Sequence, residues 1–176
     1  LESGAIGRMI TLEIRENVGY WHFAHSYVRG NWRSSTTSGP MALTKTSHDL
    51  DIIRWLVGAA PESVYSIGEL SWFRAENAPV GAPEFCVQGC PVADSCPFFA
   101  PRYYVDALAG VTGHPVHLLG DDVSPAGRMK ALREGDYGRC VFRSDNDVAD
   151  HQQTTMRFPG GVTATLTASA FTAENT

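Results

Sequence analysis

Apolar and polar residues alternate with a period of two near the start of the chain, with Ile10, Leu12 and Ile14 set against Thr11, Glu13 and Arg15. That period sends neighbouring side chains to opposite faces, so the segment reads as a half-buried strand. Further on the period lengthens. Leu50, Ile53 and Leu56 or Val57 recur every three or four residues, as the buried stripe of a helix does. Ser47 is the expected N-cap, because its hydroxyl can accept from an orphan amide of the first turn, and Gly58 is the expected stop. Residues 64–73 alternate again and predict a second strand. Residues 101–109 predict a short helix, and 125–134 a better one with Met129 and Leu132 inward and Gly135 as its end. Residues 137–142 predict a short strand. The clearest pattern is the last: 151–158, then Gly160-Gly161, then 162–171, a β-hairpin. Its second arm puts Val162, Ala164, Leu166, Ala168 and Ala170 on one face and Thr163, Thr165, Thr167 and Ser169 on the other.

This order of elements predicts an α+β domain: an open, mainly antiparallel sheet with helices on one face. The 176 residues suffice for a single domain with a sizeable core. A net charge of −5, with no basic stripe among aromatics, points away from nucleic acid and anionic membrane as partners. No run of about 18 apolar residues is present, so no spanning helix is expected. Four cysteines, three of them clustered, do not read as a secreted disulfide scaffold, and the expected location is the cytoplasm.

Chemistry concentrates at the start of the expected helix. Lys45, His48, Asp49 and Asp51 fall within seven residues. Histidine is the natural base near neutral pH, an adjacent aspartate can orient the imidazole, and a lysine can stabilise a developing alkoxide. His48 and Asp51, three apart, share a helix face. The alternative is structural, with His48 capping the helix and the two carboxylates favouring its positive end. A second set is Tyr27, Arg29, Trp32 and Arg33, in which an Arg fork suits a carboxylate or phosphate and a Trp stacks on a sugar face; packing is the competing role. His22 and His25 are read as structural. His151, entering the hairpin after Asp150, is a candidate substrate contact. Cys86, Cys90 and Cys96, spaced x3 and x5, read either as three ligands of a zinc or iron–sulfur site or as reduced thiols packed under a loop. The acidic run 145–150 lacks the glycine and terminal glutamate of a calcium loop. No G-x-G-x-x-G follows a strand, no Walker loop occurs, and Gly4-Ala-Ile-Gly7 precedes the first strand, so no dinucleotide fingerprint is present.

The strand 7–15, the loop 27–33, the motif His48-Asp49-Leu50-Asp51 and the hairpin 150–171 together resemble the C-terminal domain of the Gfo/Idh/MocA oxidoreductases. The resemblance implies a single substrate-binding and oligomerising domain over 1–176, with an N-terminal Rossmann domain outside this chain holding NAD or NADP. It implies His48 near the nicotinamide, in the H-x-x-D motif of the family. The aspartate that many members carry four residues before that histidine is Thr44 here, with Lys45 beside it. The expected activity is dehydrogenation of a sugar, cyclitol or related polyol, with His48 as base, Lys45 assisting and Asp49 orienting. Tyr27, Arg29, Trp32, Arg33, Asp51 and His151 would contact substrate. A homo-oligomer through the open sheet face is expected. The alternatives are a glycoside-processing enzyme that uses NAD transiently, and a non-enzymatic sugar-binding or scaffolding module.

Overall fold

The computed structural model describes residues 3–175, which divide into two compact units. Among the described residues the first comprises 3–20, 35–70 and 148–175; the second comprises 21–34 and 71–147.

The first unit is a four-stranded sheet and a helix. Strands β1 (Thr11–Gly19), β2 (Ser63–Glu69), β3 (His151–Arg157) and β4 (Thr163–Thr172) stand in the order β1-β4-β3-β2. β3 pairs antiparallel with both neighbours, and β1 runs parallel to β4 in the register Leu12↔Ala164 and Ile14↔Leu166. The α+β expectation and the hairpin are thus borne out. On β4 the alanine and leucine face is buried at Ala164, Leu166, Ala168 and Ala170, while Thr163 and Thr165 are exposed. Helix α1 (Ser47–Val57) seals the apolar face: Ile53 packs into a cluster with Met156, Phe158, Ala164 and Leu166, flanked by Leu12, Ile14, Leu50 and Val57. Ser47 is helical rather than capping, and Thr46 occupies the cap position without a side-chain hydrogen bond. Gly58 ends the helix at φ 75°, a left-handed turn that a side chain would strain. The edge strand β2 is exposed throughout, including Val64, Tyr65 and Ile67.

The second unit has less regular structure. Its longest helix is α2 (Pro125–Glu134), where Ser124 accepts a capping bond from the Gly127 amide at 3.1 Å. Residues Ala24–Arg29 and Arg102–Ala107 form π-helical turns, so the helix expected over 101–109 is short and wide. Tyr104, Leu132, Ala100 and Cys86 make one core cluster. Phe23 stacks on Tyr27 and Phe73, and Phe98 meets Phe73 edge-on, with ring centroids 5.1–5.5 Å apart. His25 is buried, 2.7 Å from the Tyr104 hydroxyl and stacked on Tyr137; burial, then the nearby His114, push its pKa down to about 3. It is a neutral core histidine, as the sequence suggested. The strand expected over 137–142 is reduced to the single antiparallel bridge Phe85↔Arg139, because Asp136–Gly138 coils into a 3-10 turn and the chain turns again at Cys140.

Candidate active site

The alternation of β1 places Glu16 on the same face as Leu12 and Ile14, one step beyond the apolar pair. That face is the one α1 covers. Asp49, one turn before Ile53, lies on the covered side of the helix. The helix–sheet interface therefore changes character along its length, from hydrocarbon around Ile53 to two carboxylates at the helix entrance. Glu16 is 5% exposed and Asp49 is 4% exposed, and neither could be left uncompensated there.

Lys45 supplies the first compensation, with Nζ 2.8 Å from Glu16 Oε1. The second carboxyl is eased by a raised pKa, and the His48 imidazole lies beside it with Nε2 3.4 Å from Asp49 Oδ1. The other imidazole nitrogen, Nδ1, lies 3.2 Å from the Lys45 carbonyl. A carbonyl only accepts, so that contact requires the proton on Nδ1 and leaves Nε2 as the basic atom. Ligand atoms of Glu16, His48 and Asp49 lie within 4.8 Å of one another. Asp49 Oδ2 is buried without a hydrogen-bond partner. His48 is the open member, its side chain 61% exposed. The arrangement is a chain of proton-bearing groups with one end buried and the other accessible.

Burial, and next the charge of Glu16, raise the Asp49 pKa above the ordinary carboxylate value. The folded state therefore binds the Asp49 proton more tightly than the unfolded chain does. Its stabilising contribution is complete below the unfolded value of about 3.9 and is lost as pH rises through the folded value. Asp49→Asn removes that loss. Its stability relative to wild type is expected to increase between pH 4 and pH 7, as read from urea midpoints. Parallel pH curves for the two proteins would contradict the assignment.

The other expected site residues are placed differently. Asp51 is exposed on α1, and His48 pairs with its neighbour Asp49 in its stead. His151 Nδ1 lies 2.8 Å from Oδ1 of the fully buried Asp150, a second histidine–carboxylate pair in the same unit. Tyr27 is buried in the aromatic stack. Arg33 binds Asp145 at 2.7 Å and Asp136 at 3.0 Å, and its guanidinium holds the Asp145 carboxyl below the usual range. Arg29 is 2% exposed and donates to the carbonyls of Arg139 and Phe98, both at 2.7 Å, so it braces the second unit from inside. Of this set Trp32 is part-exposed and open to a ligand. Sequence reasoning missed Glu16. The signal was available, since a charged residue continues the inward series Leu12, Ile14.

The description "Oxidoreductase family, C-terminal alpha/beta domain" matches residues 1–175. The chain belongs to the Gfo/Idh/MocA family, as its C-terminal domain. A Bacillus subtilis (strain 168) protein named "Putative oxidoreductase YteT" is 25% identical over 163 residues, covering 90% of this chain and 36% of the relative. The chain thus spans about a third of the length of the curated relative it matches. Within the Gfo/Idh/MocA domain, the motif His48-Asp49-Leu50-Asp51 lies on the helix that closes the sheet, and His48 and Asp51 are its exposed titratable groups. Among the described residues no helix is long and apolar enough to cross a membrane.

Proposed function

We propose that this domain is the substrate-binding and proton-transferring half of an NAD(P)-dependent dehydrogenase acting on a sugar, cyclitol or related polyol in the cytoplasm. The observation that carries the reading is the linked set Lys45–Glu16 and His48–Asp49, closed at the back and open at His48. Oxidising a carbinol needs a hydride acceptor and a base, and the nicotinamide cofactor, held by a Rossmann domain outside this chain, supplies the first. The residues present fit the second half of that task. His48 Nε2 takes the hydroxyl proton, and Asp49 stabilises the imidazolium that forms. Lys45, committed to Glu16, holds that buried carboxylate in place and keeps the local charge balanced. His151, in the same unit as His48, is exposed and can contact the rest of the substrate. The solvent-facing threonines of β4 and the exposed β2 are the proposed self-association surface.

The test is cofactor reduction by the intact protein with NAD⁺ or NADP⁺ across a panel of aldoses, inositols and sugar acids. Saturable reduction with at least one polyol class supports the reading. Absence of turnover, together with absence of NAD(P) binding by calorimetry, removes it and leaves a sugar-binding module.

A further inference from the structure

Outside the His48 region, and within the second unit alone, all four cysteines of the chain converge. Cys86, Cys90, Cys96 and Cys140 line one small cavity of about 10 Å³, together with Arg29 and apolar side chains. All four are free thiols. Two independent pieces of backbone bring them there. The bridge Phe85↔Arg139 is closed by the Cys86 amide on the Gly138 carbonyl at 2.9 Å and the Cys140 amide on the Glu84 carbonyl at 2.8 Å. Cys86 and Cys140 are then diagonal neighbours on the same face of that bridge. Cys90 and Cys96 come from a coil of tight turns, with Ala93 bonded to Cys90 and Cys96 to Val92. Arg102 fixes this coil, donating to the carbonyls of Ala93, Asp94 and Cys96.

The electrostatics point to a ligand. Arg29 is a buried cation, and among the described residues its guanidinium donates to two carbonyls and to no carboxylate. Beyond its two carbonyls, its guanidinium lies 3.6 Å from Cys86 Sγ. Four neutral thiols offer that cation no counter-charge. Four thiolates on a divalent ion carry a net charge of about −2, of which the buried guanidinium offsets one unit.

We propose that Cys86, Cys90, Cys96 and Cys140 form a tetrathiolate metal centre, with Arg29 as its charge-balancing partner. Binding removes four thiol protons and makes four metal–sulfur bonds, with no change in sulfur oxidation state. A tetrahedral zinc with bonds of about 2.3 Å needs sulfur–sulfur edges of about 3.8 Å. No three of the cysteine sulfurs lie mutually within 4.8 Å; the set that does is Glu16, His48 and Asp49. A cavity of about 10 Å³ has room for one ion and not for a cluster core, so the geometry fits a single zinc that draws the sulfurs together on binding. The centre fixes an irregular loop that has little regular structure to hold it.

The intact protein, purified without chelator, is expected to hold about one equivalent of zinc. Iron and acid-labile sulfide in near-equal amounts with a visible charge-transfer absorption would overturn the single-ion reading. Less than a tenth of an equivalent of either metal, both as purified and after incubation with zinc or with ferrous iron and sulfide, overturns the proposal. Cys140→Ser is expected to lower metal content at least tenfold, and full retention would strike Cys140 from the ligands. Should that variant fail to fold, alkylation of the wild type decides: the four thiols are protected when loaded and react after metal removal, whereas equal reactivity in both states refutes ligation. None of these readouts depends on dehydrogenase turnover.

Discussion

Replacing His48 by alanine in the intact protein is expected to lower kcat by about 10²-fold or more, the usual scale for removal of a general base. The fold should not suffer. His48 is largely exposed, and its contacts are the Lys45 carbonyl at 3.2 Å and Asp49 at 3.4 Å. Loss of so open a side chain typically changes stability by less than about 0.5 kcal/mol. The two readings of this residue therefore separate cleanly. A structural histidine would shift the urea midpoint and leave kcat near wild type. A base would leave the midpoint and remove the acid limb of the pH–rate profile, because the variant has no imidazole to protonate. Substrate KM is expected to move little, since His48 acts on one hydroxyl proton while other contacts hold the ring. A kcat within a factor of three of wild type would take His48 out of the mechanism.

The parts of the fold set by periodicity were readable. The alternation in β4 and the 3.6-residue stripe of α1 are both consequences of one sheet face meeting one helix, and each left its period in the sequence. The clustering of Lys45, His48 and Asp49 was readable for the same reason, since a helix entrance is local in sequence. Glu16 was not seen as a partner because its pairing with Lys45 is long-range, and only its break in an inward apolar series betrays it. Arg29 and Tyr27 misled in the opposite sense. Residue type suggested ligand contacts, but Arg29 is turned inward by residues 86, 98 and 139, and Tyr27 by its stack on Phe23.

The cysteines show the same limit more sharply. Three of them were visible as a cluster, while Cys140 is 44 residues past Cys96 and reaches the others through a single bridge. The segment between them has no hydrophobic period, so no pattern announces that its ends meet. Order there comes instead from guanidinium groups binding carbonyls: Arg102 on the 93–96 coil, Arg29 on Phe98 and Arg139, and the buried Arg128 on Val123, Tyr104 and Leu108. Such clamps depend on tertiary position and leave no periodic trace.

One glycine tests how tightly that irregular unit is closed. Gly138→Ala is expected to destabilise the protein by about 3 kcal/mol or more, lowering Tm by roughly 6–12 °C. A Cβ at this position would sit 1.7 Å from the Leu132 carbonyl oxygen and 2.5 Å from its carbon. Both are backbone atoms of α2 in its last turn, so no side chain can swing aside. Relief requires moving the 3-10 turn Asp136–Gly138 away from the helix, and Leu132 itself is fully buried. The move would also stretch the bond from the Cys86 amide to the Gly138 carbonyl, which sets the bridge between Cys86 and Cys140. Gly113→Ala is the control, because a Cβ there meets nothing within 4 Å, and its Tm should stay within a degree or two of wild type. Equal melting of the two variants would mean that the α2–turn contact is loose, and that the register holding Cys140 against Cys86 is not fixed by sterics at Gly138.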